Sequence, residues 1–259
     1  MTSADFISLD THPLESRNYR DRCKQILDKT GVLRLEQFLT GSAVESVRRE
    51  GESHAQLAYF TQADHNVYLM PQDLSFDASH ARNRKVCSSK GCITTDQIPE
   101  TSVLKSLYHD SLFKDFLCSV LDEDSLHEYA DALSSINLHY ASAGQELGWH
   151  FDNSSFAITL LIQKPTDGGV FEYVEDVRDA DAGEMNFAAV DKILDGRLPV
   201  SELAIEVGDL VLFRGRNALH RVTPTIGDTT RMLVVLAYNT EPGVALSESA
   251  RQTFYGRLE

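Results

Sequence analysis

Residues 208–224 read GDLVLFRGRNALHRVTP. Two apolar runs flank a polar, glycine-bearing turn, and Asp and Pro punctuate the ends, the pattern of two short strands. Working outward, INLHYAS (136–142), FAITLLIQ (156–163), GVFEYV (169–174), LAIEV (203–207) and RMLVVLAYN (231–239) have the same composition. They are rich in Val, Ile, Leu, Phe, Tyr and Thr, which suit a pleated surface. Many short strands with Gly and Pro at their ends predict an antiparallel sandwich or jelly roll. EMNFAAVDKILD (184–195) predicts a helical insertion between strands.

The first half has a different period. Residues 14–29 carry Leu14, Cys23, Ile26 and Leu27 at helical spacing, and Gly31 ends the pattern. GVLRLEQFL predicts a short strand and turn, and 42–57 a second helix. TSVLKSLYHDSLFKDFLCSVL and DSLHEYADALSS predict further helices within 101–133. Residues 61–100 are polar and irregular, the character of a functional loop. The expected architecture is mainly β with α. A mainly helical region, 1–134, with an active-site loop at about 61–100, supports a double-stranded β-helix (jelly roll, cupin-like) catalytic core at 135–259, the two forming one structural unit.

Bulk properties exclude several classes. The chain has 259 residues and a formal charge of −15, with no Lys/Arg-rich run to offset it. Such a surface repels nucleic-acid phosphates. Four cysteines are too few for a disulfide scaffold at this length. No apolar run is long enough to span a bilayer, and the N-terminal residues have no apolar signal core. The expectation is a cytoplasmic protein with free thiols and no nucleic-acid or membrane partner, its oligomeric state open.

The stretch GWHFDNSSF (148–156) places His150 and Asp152 two residues apart, on one side of an extended chain. Alone, His-x-Asp is weak evidence, because such pairs arise on ordinary polar strands. His220 and Arg231, each at the start of a downstream strand, change its weight. Two imidazoles and a carboxylate are the facial donor set of non-haem Fe(II) oxygenases. A guanidinium fork binds a carboxylate bidentately, as a distal co-substrate carboxylate requires.

On these residues the second half resembles the Fe(II)/2-oxoglutarate-dependent dioxygenase superfamily. The resemblance implies that His150, Asp152 and His220 hold Fe(II). It implies that Arg231 binds 2-oxoglutarate, that O2 is consumed, and that an unactivated C–H bond is hydroxylated with release of succinate and CO2. Tyr140, ten residues before His150, matches a co-substrate tyrosine of the prolyl-hydroxylase-like branch; its other reading is a core aromatic. The chain also resembles hydroxylase relatives of the BesD-type free amino-acid halogenases, which implies a free amino acid or derivative as substrate. In those halogenases Gly or Ala replaces the carboxylate ligand and makes room for chloride; Asp152 therefore argues for hydroxylation. Asn153 is a substrate candidate by that resemblance, and Arg82 and Arg84 of HARNRK are candidate anchors for a substrate carboxylate, against the reading of a solvated face. Two alternatives stay open: a hydroxylase of protein side chains, and a non-catalytic cupin-like metal-binding module.

Overall fold

The computed structural model describes residues 1–259. Helices α1 (Ser3–Phe6), α2 (Arg17–Thr30), α3 (Gly41–His54), α4 (Val103–Tyr108), α5 (Ser111–Leu121), α6 (Phe187–Leu194) and α7 (Glu248–Tyr255) accompany thirteen strands. These are β1 (Val32–Leu35), β2 (Tyr59–Asn66), β3 (Lys85–Ile93), β4 (Ile136–Ala141), β5 (Leu147–His150), β6 (Ala157–Gln163), β7 (Asp167–Gly168), β8 (Phe171–Val174), β9 (Ser201–Leu203), β10 (Leu210–Phe213), β11 (Leu219–Val222), β12 (Thr225–Ile226) and β13 (Arg231–Leu236). The antiparallel sheet runs β1-β10-β6-β13-β4-β3-β5-β11-β8-β9, with β2 paired to β3. β3 joins β4 near its end and β5 at Ser88, so the sheet curls and its two halves face each other. This is a double-stranded β-helix.

Alternation assigns the two faces of the first half. Leu33, Leu35, Ile158, Leu160, Leu210, Leu212, Met232, Val234, Leu138 and Tyr140 pack outward on the helices in one core. The alternate residues, including Arg231, Leu233, His139 and Asn137, point into the barrel. The helices follow their end signals. Ser16 caps α2 and Gly31 ends it in the left-handed conformation, with Cys23 and Leu27 buried four residues apart. Gly51 lets α3 sit close on the sheet: a Cβ there would lie 2.8 Å from Leu138 Cδ2. Asp209, fully buried, accepts from Arg34 Nε and from the backbone N–H groups of Gln37 and Glu206. It ties β1 to the turn before β10.

Three expectations are corrected. Residues 61–100 are not one irregular loop: β2 and β3 form an eight-pair hairpin around an irregular 67–84, and Thr95–Gln97 form a short 3-10 turn beyond it. Their polar sequences lack clean alternation because β2 is largely exposed. DSLHEYADALSS is not helical. Its backbone pairs instead with the C-terminal segment, through His127 with Asn239 and Ala130 with Val244, and Asp131 caps Leu133 and Leu246. Finally, α4 and α5 are separate helices because Asp110 caps the second, accepting from Phe113 N. No helix is long and apolar enough to cross a membrane.

Candidate active site

β5 and β11 pair so that His150 lies directly opposite His220, with ring centroids 4.1 Å apart. The chain leaving β5 is pinned, since Phe151 N donates to Val67 O and Asp152 N donates to Gly215 O. Asp152 Oδ1 then lies 3.7 Å from His150 Nε2 and 3.5 Å from His220 Nε2. These separations exceed hydrogen bonds. The three ligand atoms, all within 4.8 Å of one another, converge on a common point.

The outer nitrogens fix the tautomers. His150 Nδ1 lies 2.8 Å from Gly148 O and His220 Nδ1 lies 3.0 Å from Ala218 O. A carbonyl only accepts, so each Nδ1 carries the proton and each Nε2 offers a lone pair inward. Burial, with the neighbouring His220, pulls His150 down to about 3, so it is neutral at pH 7. Burial alone would raise the Asp152 carboxyl, but His220, His150 and Arg178 prevail and hold it below its ordinary value. Asp152 Oδ2 is buried without a hydrogen-bond partner. The oxygen that faces the two imidazoles is Oδ1, and a cation at the convergence point would be held by Oδ1 and the two Nε2 atoms. Two imidazole nitrogens and one carboxylate fit Fe(II).

Trp149 and Phe151 point away from the ligands into a second cluster with Val67, Tyr68, Val177 and Leu219. Arginines cover both rings: Arg221 lies 4.9 Å over Trp149, and Arg178 4.1 Å over Phe151. Gly215 is a close-approach site. A Cβ there would fall 1.9 Å from Asp152 Oδ2, so only glycine leaves room for the carboxylate.

Arg231 opens β13 and passes over Gly169, whose absent Cβ would lie 2.9 Å from Arg231 Cδ. It is 7% exposed and has no carboxylate in ion-pair contact. Burial lowers its guanidinium to about 10, so it remains charged at neutral pH. A buried cation without a counter-ion is a receptor for an anion.

Tyr140 does not share this face. It pairs with Met232, on the helix side of the sheet, and its hydroxyl donates to Gly51 O at 2.7 Å. The co-substrate expectation for Tyr140 is therefore corrected to a core role. Arg84 is also corrected: it pairs with Asp195 and donates to Leu194 O, stapling the hairpin to the end of α6. Arg82 is 8% exposed, with Nη2 on Pro71 O and Nη1 buried without a partner. Asn153 is exposed; its carbonyl accepts from Arg216, which also pairs with Asp181.

Sequence reasoning did not single out Gly215, Gly169, Arg178 or Lys90. Gly215 and Gly169 stood inside quoted segments, but their role needs the third dimension. Lys90 lines a cavity of about 200 Å³ with Cys92, Asn137, His139, Phe254 and Tyr255.

The sequence matches the model of the Halogenase D family over residues 16–254. The chain belongs to that family. No curated protein sequence matches it. Solved structures share its fold at low identity. The non-heme alpha-ketoglutarate-dependent carbocyclase SnoK of nogalamycin biosynthesis is 12% identical, with a TM-score of 0.60 over 89% of each chain. A 2OG-Fe(II) oxygenase family oxidoreductase from Burkholderia pseudomallei is 13% identical, with a TM-score of 0.53 over 87% of this chain and 92% of that one. A prolyl-4-hydroxylase from Pseudomonas putida is 12% identical, with a TM-score of 0.50 over 83% and 97%. This Halogenase D member thus has the fold of 2-oxoglutarate oxygenases.

Proposed function

We propose that this Halogenase D member is an Fe(II)/2-oxoglutarate-dependent hydroxylase of a small molecule, a free amino acid or derivative, consuming O2 and releasing succinate and CO2. The observation that carries the reading is the convergence of His150, Asp152 and His220, whose ligand atoms all lie within 4.8 Å of one another. Arg231 supports it as a buried, uncompensated guanidinium suited to the distal carboxylate of 2-oxoglutarate. Of the neighbours that share the fold, the carbocyclase is described as non-heme and alpha-ketoglutarate dependent, and the Pseudomonas putida protein as a prolyl-4-hydroxylase.

The bound iron, with 2-oxoglutarate and O2, would supply the oxidising power for C–H cleavage. The chain's own residues do the positioning. The Gly148 and Ala218 carbonyls aim the two imidazoles. Gly215 seats Asp152, and Trp149 and Phe151 back the strand with apolar packing. Arg231 orients the co-substrate from inside the barrel, and Gly169 gives its side chain passage.

The family description raises halogenation as a second reading, against which Asp152 argues. A carboxylate in the third ligand position occupies the place a halide would need. Purified protein incubated with Fe(II), 2-oxoglutarate, chloride and a panel of free amino acids should yield succinate and a product heavier by one oxygen. A chlorinated product, or full activity in Asp152→Ala, defeats the hydroxylase reading. A non-catalytic cupin-like module has no use for a buried Arg231. Failure of 2-oxoglutarate to bind the iron-loaded protein would favour that module.

A further inference from the structure

The cavity that Lys90 lines stands at the end of the barrel, between the inner faces of β3 and β4 and the helix α7. The chain has 39 acidic residues against 24 basic ones, yet no Asp or Glu lines this cavity. Asp131 lies behind the wall, and its oxygens are taken by Leu133 N, Ser134 Oγ and Leu246 N. Asn137 is also spent: Nδ2 donates to Leu133 O and Ile136 O, and Oδ1 accepts from Tyr255 Oη. That leaves Lys90 and His139, with the hydroxyl-bearing Tyr129 also on the lining.

Lys90 Nζ lies 3.3 Å and 3.1 Å from the two ring nitrogens of His139 and meets no carboxylate. Burial and the charges of Lys90 and Arg231 hold His139 well below its ordinary value, so it is neutral. A neutral imidazole has one acceptor nitrogen, whereas an ammonium has three donors and no acceptor. Most of the hydrogen-bonding capacity of Lys90 is therefore unused. Ser88, two residues before Lys90 along β3, accepts from Gly148 N at 3.0 Å and pairs with Leu147 of β5, which sets the cavity wall beside the strand that carries His150; burial lowers the Lys90 ammonium.

We propose that Lys90 is a specificity residue that binds a carboxylate of the substrate in this cavity, with His139 steering its ammonium. A single cation beside a neutral ring matches a monoanionic carboxylate; a phosphate dianion would remain half compensated. The same wall rejects an ammonium group, because like charges meet without a counter-ion. The inference rests on the oxygenase reading and narrows its substrate to acids that place a carboxylate beyond the metal.

The test uses the full chain loaded anaerobically with Fe(II) and 2-oxoglutarate. The visible absorption of the iron–2-oxoglutarate complex is recorded first; its absence in wild type is a failure of the oxygenase reading, not of Lys90. Calorimetric titration then compares L-glutamate with glutamine and isoglutamine, which replace the side-chain or the α-carboxylate by an amide, and repeats the set with aspartate. One amide of a pair should bind at least about tenfold more weakly than its acid, which identifies the carboxylate used. Lys90→Met should erase that difference without changing 2-oxoglutarate affinity, and Lys90→Arg should keep it; thermal unfolding of each variant verifies folding. Equal binding of acids and amides, an acid preference that survives in Lys90→Met, or a loss of 2-oxoglutarate affinity in its place overturns the proposal.

Discussion

Gly215→Ala isolates the seat of the metal-binding carboxylate. The added Cβ would stand 1.9 Å from Asp152 Oδ2, 2.6 Å from its Cγ and 2.9 Å from His220 Cε1. Ordinary contact begins at 3.4 Å, so the carboxylate must retreat by about 1.5 Å (3.4 − 1.9). Metal–ligand distances tolerate only ~0.2 Å. Asp152 therefore cannot keep its place beside both imidazoles, and Fe(II) affinity should fall by about 100-fold, the upper end for loss of a supporting residue. Gly215 does not occupy the left-handed region, so alanine is permitted by its backbone. The cost to the metal-free fold should stay within the ~1–3 kcal/mol of local overpacking. Anaerobic Fe(II) titration reads the first quantity, and denaturant unfolding in chelator reads the second. Asp152→Ala should reproduce the loss of affinity, and the double variant should add little to either. An Fe(II) affinity for Gly215→Ala within about threefold of wild type, or fully additive losses in the double-mutant cycle, refutes the seat.

Other outcomes follow from the same geometry. Arg231→Lys should raise the KM for 2-oxoglutarate by at least about tenfold, because an ammonium lacks the bidentate fork; steady-state kinetics with varied 2-oxoglutarate would expose an unchanged KM. Tyr140→Phe strands the Gly51 carbonyl and should cost about 1–3 kcal/mol in denaturant unfolding while leaving 2-oxoglutarate affinity intact. A loss of that affinity would return Tyr140 to the co-substrate site. The pH dependence has a definite sign. His150 is neutral when folded down to about 3, whereas the unfolded residue takes a proton near 6.5. Between these values the unfolded state binds the extra proton, so metal-free stability should fall as pH drops from about 6.5 toward 3, by at most ~5 kcal/mol. A flat stability over that interval in chelator, or a slope unchanged by His150→Gln, would contradict the buried neutral imidazole.

The donor cluster was more legible in the sequence than its surroundings. His150, Asp152, His220 and Arg231 were legible because their spacing fell on strong strand patterns, where alternation fixes which side chains share a face. The same alternation separated His139 from Tyr140, but it could not say which set faces the barrel. That choice depends on α3 lying across the outer face, with Gly51 under the tyrosine hydroxyl. The β2–β3 hairpin was hidden because its cohesion comes from backbone ladder bonds between polar residues, which leave no hydrophobic period. DSLHEYADALSS carried a plausible helical pattern, but its partners are Asn239, Val244 and Leu246, more than a hundred residues away. Lys90 lay in a segment read as a loop, so its place on an inner wall was invisible.

The two ligand imidazoles are aimed by main-chain carbonyls two residues back in the chain. No substitution removes a carbonyl, so the hydrogen bond that aims each ring does not rely on a neighbouring side chain. The cavity wall is the opposite case, since its charge resides in one side chain that a single codon change could exchange. Ring orientation and cavity charge are thus separable inheritances in this barrel: the first is written in backbone, the second in a replaceable side chain.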